Sequence, residues 1–314
     1  LIALRPPRRT SPSSSSSSSA PSLRVFDPSE TRWLILPLGF LLPSFCSPHP
    51  VASSRGLIYL WADSPVPASD SGAKKSLIAC NPLTGEFRVL PQLGSAWSRH
   101  GSVLVDSDKG VIVLTELAAL YLPKYPRDRT WLTFSSNLPS KPRSPVLVGD
   151  SVFVVCDVGS PWRSHWKLFG CSLFGSSSRN CWVCLERKEW GDVMDIMKRP
   201  RLVQGARGSL LMVGGLKSTF SLNPICSTIL MLRLDLGRMD WEEAGRMPLE
   251  MYRCFAECSK LKVFGCEDKV CFSAKRLGKL ALWDESGGDN GGVVWSWVDG
   301  VPGGGAGDGL FRGF

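Results

Sequence analysis

The sequence predicts an all-β fold, a β-propeller of about six blades. Three observations carry that prediction: short apolar runs entered from tight turns, a near absence of long amphipathic helices, and large aromatic residues recurring about every 50 residues.

The apolar runs at 56–61, 102–105, 110–114, 151–156, 209–213 and 269–272 have strand length, and Gly, Ser or Asp stands at their entries. Continuous rather than alternating apolar character marks strands buried on both faces. The best helical segment is 189–197, where Trp190, Val193, Met194 and Met197 fall at i, i+3, i+4 and i+7 and Pro200 would end the helix.

A repeat emerges around the aromatics. A strand-like segment passes through a polar turn to an aromatic residue and leaves through a proline, as in 27–33 leading to Pro37, 81–87 to Pro91 and 234–241 to Pro248. The anchors are Trp33, Phe87, Trp131, Trp190, Trp241 and Trp297, separated by 54, 44, 59, 51 and 56 residues. That period matches one four-stranded blade, and a large ring at the same place in each blade would fill the widening gap between neighbouring sheets. A single blade exposes two apolar faces, and radial stacking buries both.

The chain has 314 residues, 43% of them hydrophobic, which is enough for a packed core. Residues 1–24, with Pro6, Pro7 and the serine run from Ser13 to Ser19, are expected to be a disordered tail. Residues 25–302 form one propeller domain, and 303–314 a glycine-rich tail. The start at Leu1 rather than Met leads to the expectation that the chain is a fragment of a longer one. Four arginines of the first 24 residues supply part of the formal charge of +9, and no Lys/Arg run elsewhere would track a phosphate backbone. No dedicated nucleic-acid site is therefore expected. The longest apolar stretch, 34–42, contains Pro37 and is about half of the ~20 residues a membrane helix needs, so no membrane partner is expected either. Eleven cysteines at scattered spacings argue for a reducing, intracellular location.

No catalytic, cofactor-binding or metal-ligating residue is assigned. Cys181 and Cys184 form a Cys-x-x-Cys pair without a second pair at zinc spacing, and Cys254, Cys258, Cys266 and Cys271 fit packing in strands better than a metal cluster. His49, His100 and His165 stand alone, and no nucleophile elbow, phosphate loop or His-Glu-x-x-His stretch is present. A copper enzyme of the galactose-oxidase type would need more histidine than this chain supplies. Trp97, Arg99, His100, Trp162, Arg163, His165 and Trp166 fall in apparent loops, where they would either contact a partner or wedge between blades.

The order of these units carries a family resemblance. Gly214-Gly215, the block from Trp241 to Pro248, Tyr252 and Phe255, then Trp295-Ser296-Trp297, preceded by Cys80-Asn81-Pro82-Leu83-Thr84-Gly85, resemble plant F-box/kelch-repeat proteins, in particular the group that includes the floral regulator UNUSUAL FLORAL ORGANS. The likeness covers 25–302 and lacks the F-box, since residues 1–24 are too short and too polar to form one. It implies a kelch-type propeller that binds a protein substrate for an SCF-type ubiquitin ligase in the nucleus or cytoplasm. A Skp1-type adaptor and a cullin would be partners only through an F-box upstream of Leu1. It also implies a non-catalytic role. The alternative is a kelch-type interaction scaffold not coupled to a ligase.

Overall fold

The structure is a computed structural model that describes residues 2–4, 21–27, 30, 32–42, 44–64, 75–124, 130–173, 182–190, 193–217, 226–256, 261–274, 277–287 and 292–298. The chain opens with a three-stranded antiparallel sheet of β1 (Ile2–Leu4), β2 (Ser22–Asp27) and β3 (Arg32–Pro37). Five four-stranded antiparallel blades follow. The first is β4 (Cys46–Ser54), β5 (Leu57–Asp63), β6 (Lys75–Cys80) and β7 (Phe87–Val89). The second is β8 (Ser102–Asp106), β9 (Gly110–Leu114), β10 (Ala118–Pro123) and β11 (Leu132–Ser135). The third is β12 (Arg143–Val148), β13 (Ser151–Asp157), β14 (Trp166–Ser172) and β15 (Val183–Leu185). The fourth is β16 (Met197–Gly205), β17 (Leu210–Lys217), β18 (Cys226–Asp235) and β19 (Asp240–Arg246), and the fifth β20 (Leu261–Glu267), β21 (Lys269–Ala274), β22 (Leu280–Asp284) and β23 (Val294–Val298).

The first strand of each blade lies innermost, and neighbouring inner strands run parallel. In the last two blades they bond directly, Gln204 with Cys266 and Gly205 with Glu267. The second strands carry the continuous apolar runs, and their two faces explain why. On β9, Val111 and Val113 pack toward the first blade beside Tyr59 and Trp61, while Ile112 and Leu114 pack toward the third beside Val152 and Val154. Side chains alternate across a strand, so a blade buried on both sides needs apolar residues at every position. Each such side chain contributes about 1.5–3 kcal/mol on burial.

Apolar clusters of this kind join every consecutive pair of sheets. The last one closes the ring: Phe26 and Trp33 of the three-stranded sheet meet Phe264, Leu280 and Leu282 of the fifth blade. On its other side Leu23 and Val25 meet Ile58 and Leu60 of the first blade.

The aromatic anchors fall on or beside the outermost strand of each sheet, and where about six blades are expected the described residues form five complete ones. Five of the anchors belong to four-stranded blades; Trp33 belongs to the three-stranded sheet. A ring in the outer wedge is needed whether a sheet has three strands or four, so anchor spacing overcounts complete blades. Trp190 shows the wedge best. It is buried, meets Trp241 edge to face with centroids 5.7 Å apart, and donates its Nε1–H to the Met239 carbonyl at 2.7 Å.

The helix expected over 189–197 does not form. Lys188–Trp190 is a single 3-10 turn, residues 191–192 lie outside the described residues, and Met197 already begins β16. Trp190, Val193, Met194 and Met197 all reach the cluster between the third and fourth blades from an irregular link, which imitates helical spacing. Among the described residues two short α-helices stand elsewhere, α1 (Ser95–His100) and α2 (Leu249–Ala256); the second follows Pro248 and buries Met251 and Phe255. Of the expected N-terminal tail, Ile2–Leu4 and Ser22 onward are strand, and residues 1 and 5–20 lie outside the described residues, as do 303–314. No helix among the described residues is long and apolar enough to cross a membrane.

Candidate functional site

Because all five inner strands run the same way, the two ends of the propeller axis differ in chemistry. One end carries the tight turns from first to second strands. There the charges pair between blades: Arg55 of the first blade makes a two-pronged contact with Asp108 of the second, at 2.8 and 3.0 Å, and Lys109 of the second meets Asp150 of the third at 2.6 Å.

The other end is where each inner strand begins, and it opens into a cavity of about 790 Å³. Its cations are Arg99 at the end of α1, Lys141 and Arg143 at the entry to β12, Arg201 of β16 and Lys262 of β20. Asp157, at the end of β13, is the one carboxylate among the lining residues. A second cavity of about 1000 Å³ continues along the inner strands toward the turn end, past Ser102, Leu202 and Val263.

Backbone irregularities aim these side chains. The β12–β13 register shifts between Arg143 and Val146, and the β16–β17 register shifts between Lys198 and Arg201. Ser144 and Arg199, at φ +41° and +52°, sit inside those bulges. An extra residue in a strand rotates what precedes and follows it, here turning guanidinium groups toward the axis.

Arg143 rests on the face of Trp166, its guanidinium carbon 4.7 Å from the ring centroid. Burial draws its pKa below the ordinary arginine range, and Arg199 adds to that effect while Asp157 opposes it. Arg201 is lowered as well, first by burial and then by Arg143 and Arg199. Burial alone would raise the Asp157 carboxyl. Hydrogen bonds from Ser164 and from the backbone N–H groups of Gly159 and His165, with the charge of Arg143, outweigh burial and hold it low.

The loop that leaves Asp157 is ordered by those same bonds and by a bridge between Ser160 and Arg163. At its tip Trp162 is 95% exposed. An indole held in water on a bonded loop beside a basic cavity is an arrangement suited to binding a protein.

Comparison with known proteins now bears on this geometry. The chain is 61% identical over 321 aligned residues to SKP1-interacting partner 15 of Arabidopsis thaliana, across 100% of this chain and 82% of that protein. The chain belongs to the SKP1-interacting partner 15 family. No family model matches the chain. Among solved structures, the β-propeller domain of the Trilobed protease from Pyrococcus furiosus is similar with a TM-score of 0.45, 10% identity and coverage of 84% of this chain and 72% of that one. A fungal alcohol oxidase of the AA5 family, in complex with copper, gives 0.46, 12%, 83% and 55%.

In this member of the SKP1-interacting partner 15 family, the loop residues singled out in the sequence divide three ways. Arg99 and His100 line the basic cavity, but on helix α1 rather than a loop. Trp97 and Trp166 are wedges, the first in the cluster between the first two blades and the second buried at the start of β14. Trp162 and Arg163 are on the exposed loop, and His165 Nδ1 lies 3.2 Å from Asp195 Oδ1.

Sequence reasoning missed Lys141, Arg143, Arg199, Arg201 and Lys262. A signal was present: Arg99 and Arg143 each stand twelve residues after an anchor, Phe87 and Trp131, and Arg201 stands eleven after Trp190. Buried thiols are packing groups in this fold. Cys80, Cys156 and Cys271 lie on strands, and burial pushes them up to about 11, 11 and 12. Cys181 and Cys258 lie outside the described residues, and no group of three or more His, Cys, Asp or Glu able to hold a metal occurs among the described ones.

Proposed function

We propose that this chain is the substrate-recognition propeller of an F-box subunit in an SCF-type ubiquitin ligase. Its part in ubiquitination is non-catalytic, in the nucleus or cytoplasm. The observation that carries the reading is the 61% identity, along the whole chain, to a protein named for its interaction with SKP1. The mechanism is positional. A protein held on the rigid propeller is brought close to a charged ubiquitin-transfer enzyme, and proximity replaces a bimolecular encounter. We further read the propeller as kelch-type, with the three-stranded sheet as an incomplete sixth blade; its packing between the fifth and first blades supports that count.

The test is co-precipitation of a Skp1-type adaptor and cullin with the protein expressed from its complete reading frame. Stoichiometric capture of both is expected. Failure to capture the adaptor would overturn the ligase reading in favour of an uncoupled scaffold.

A further inference from the structure

We propose that the open, basic end of the propeller axis binds an acidic, carboxylate-rich segment of a partner protein. This rests on the substrate-recognition reading and names the chemistry of what is recognised.

The first support is the imbalance of charge. Five cations drawn from the entries of four blades face one carboxylate, and Asp157 already spends Oδ1 on the backbone N–H groups of Gly159 and His165. At the opposite end Arg55 and Lys109 are instead met by Asp108 and Asp150 of the neighbouring blades. Arg143 and Arg201 at the cavity end have no such pairing among the described residues.

The second support is that the arginines are prepared rather than merely exposed. Arg143 and Arg201 are half-buried, and neither side chain makes a hydrogen bond or salt bridge among the described residues. Arg143 is fixed from below by Trp166, which leaves the edge of its guanidinium fork free for a planar, two-oxygen acceptor. Partly desolvated like charges held together by a rigid fold are relieved when a carboxylate enters.

Shape selects a peptide. A cavity of about 790 Å³ lies within the ~300–1,000 Å³ of ligand pockets and accommodates several side chains, whereas a nucleic-acid duplex requires a stripe of cations along an open surface. The exposed Trp162 on the adjoining loop supplies an apolar contact for the same segment.

The test is fluorescence anisotropy of the full chain with a rhodamine-labelled, glutamate-rich peptide of about twelve residues at near-physiological salt. Binding is expected, with Arg143→Gln and Arg201→Gln each weakening it about tenfold, equivalent to ~1.4 kcal/mol for one charge-assisted contact. Arg99→Gln, whose side chain leaves the blades' packing untouched, should weaken it in the same direction. Arg55→Gln at the paired end should leave it unchanged, and a glutamine-for-glutamate peptide should not bind. The proposal is overturned by equal binding of the glutamine peptide or by indifference to all three cavity substitutions. Binding only of a phosphoserine version, or tighter binding of a thymidine oligonucleotide, would also overturn it. Adaptor capture is read on the same variants: captured adaptor without peptide binding rejects this inference alone, and peptide binding without adaptor rejects the ligase reading alone.

Discussion

Gly110 and Gly149 both have positive φ, yet the fold uses them differently. At Gly110, φ +138°, a Cβ would lie 2.1 Å from the Leu122 carbonyl oxygen, whereas at Gly149, φ +57°, nothing stands within 4 Å. The first is a close approach between paired strands β9 and β10, the second an open turn. We expect Gly110→Ala to cost about 3 kcal/mol or more and Gly149→Ala about 1 kcal/mol, measured by urea unfolding. Equal costs would show that the close approach to Leu122 adds nothing to the need for glycine at Gly110. Asp235 illustrates a residue whose role was legible in the sequence: its Oδ1 accepts from the N–H groups of Gly237 and Arg238 at 2.8 and 3.0 Å, building the turn before the Trp241 anchor.

At the scale of elements, the strands read most clearly were those buried on both faces. β9 is buried at all five positions and β13 at five of seven, and a short, continuously apolar segment bounded by turns is the signature of a strand covered on both sides. The outer strands were legible only through their aromatic residues, because a strand such as β7, three residues long and exposed at every one, is too short to carry a periodic signal. The mistaken helix over 189–197 has the same origin as the successes: burial sets spacing, and an irregular link that buries Trp190, Val193, Met194 and Met197 against one cluster reproduces a helical stripe. This layering predicts a gradient in amide hydrogen exchange measured by mass spectrometry. Peptides from β9, β13 and β17 should exchange slowest and those from β7 and β11 fastest. Uniform protection from inner to outer strands would contradict the blade arrangement.

The molecule as a whole depends on closure. The three-stranded sheet covers Ile58 and Leu60 of the first blade with one face and Phe264 and Leu282 of the fifth with the other. Deleting residues 1–37 would expose both blades, removing several buried side chains worth about 1.5–3 kcal/mol each. The truncated chain should melt about 10 °C or more below the full one, or elute as aggregates in size-exclusion chromatography. A monomer with unchanged melting would mean that the ring does not need its first sheet.

Local composition was enough to determine that this chain forms blades and where their outer rings stand, because each blade's need for apolar faces and an aromatic wedge is met by residues near one another in sequence. The basic mouth was decided only by the tertiary structure. Arg99, Arg143, Arg201 and Lys262 lie in four different repeats; the spacing of the three arginines after their anchors marks similar places in the repeat, and only the fold shows that those places meet. Parallel inner strands bring their starting ends to one side of the axis, and Coulomb energy depends on distance in space, not separation along the chain.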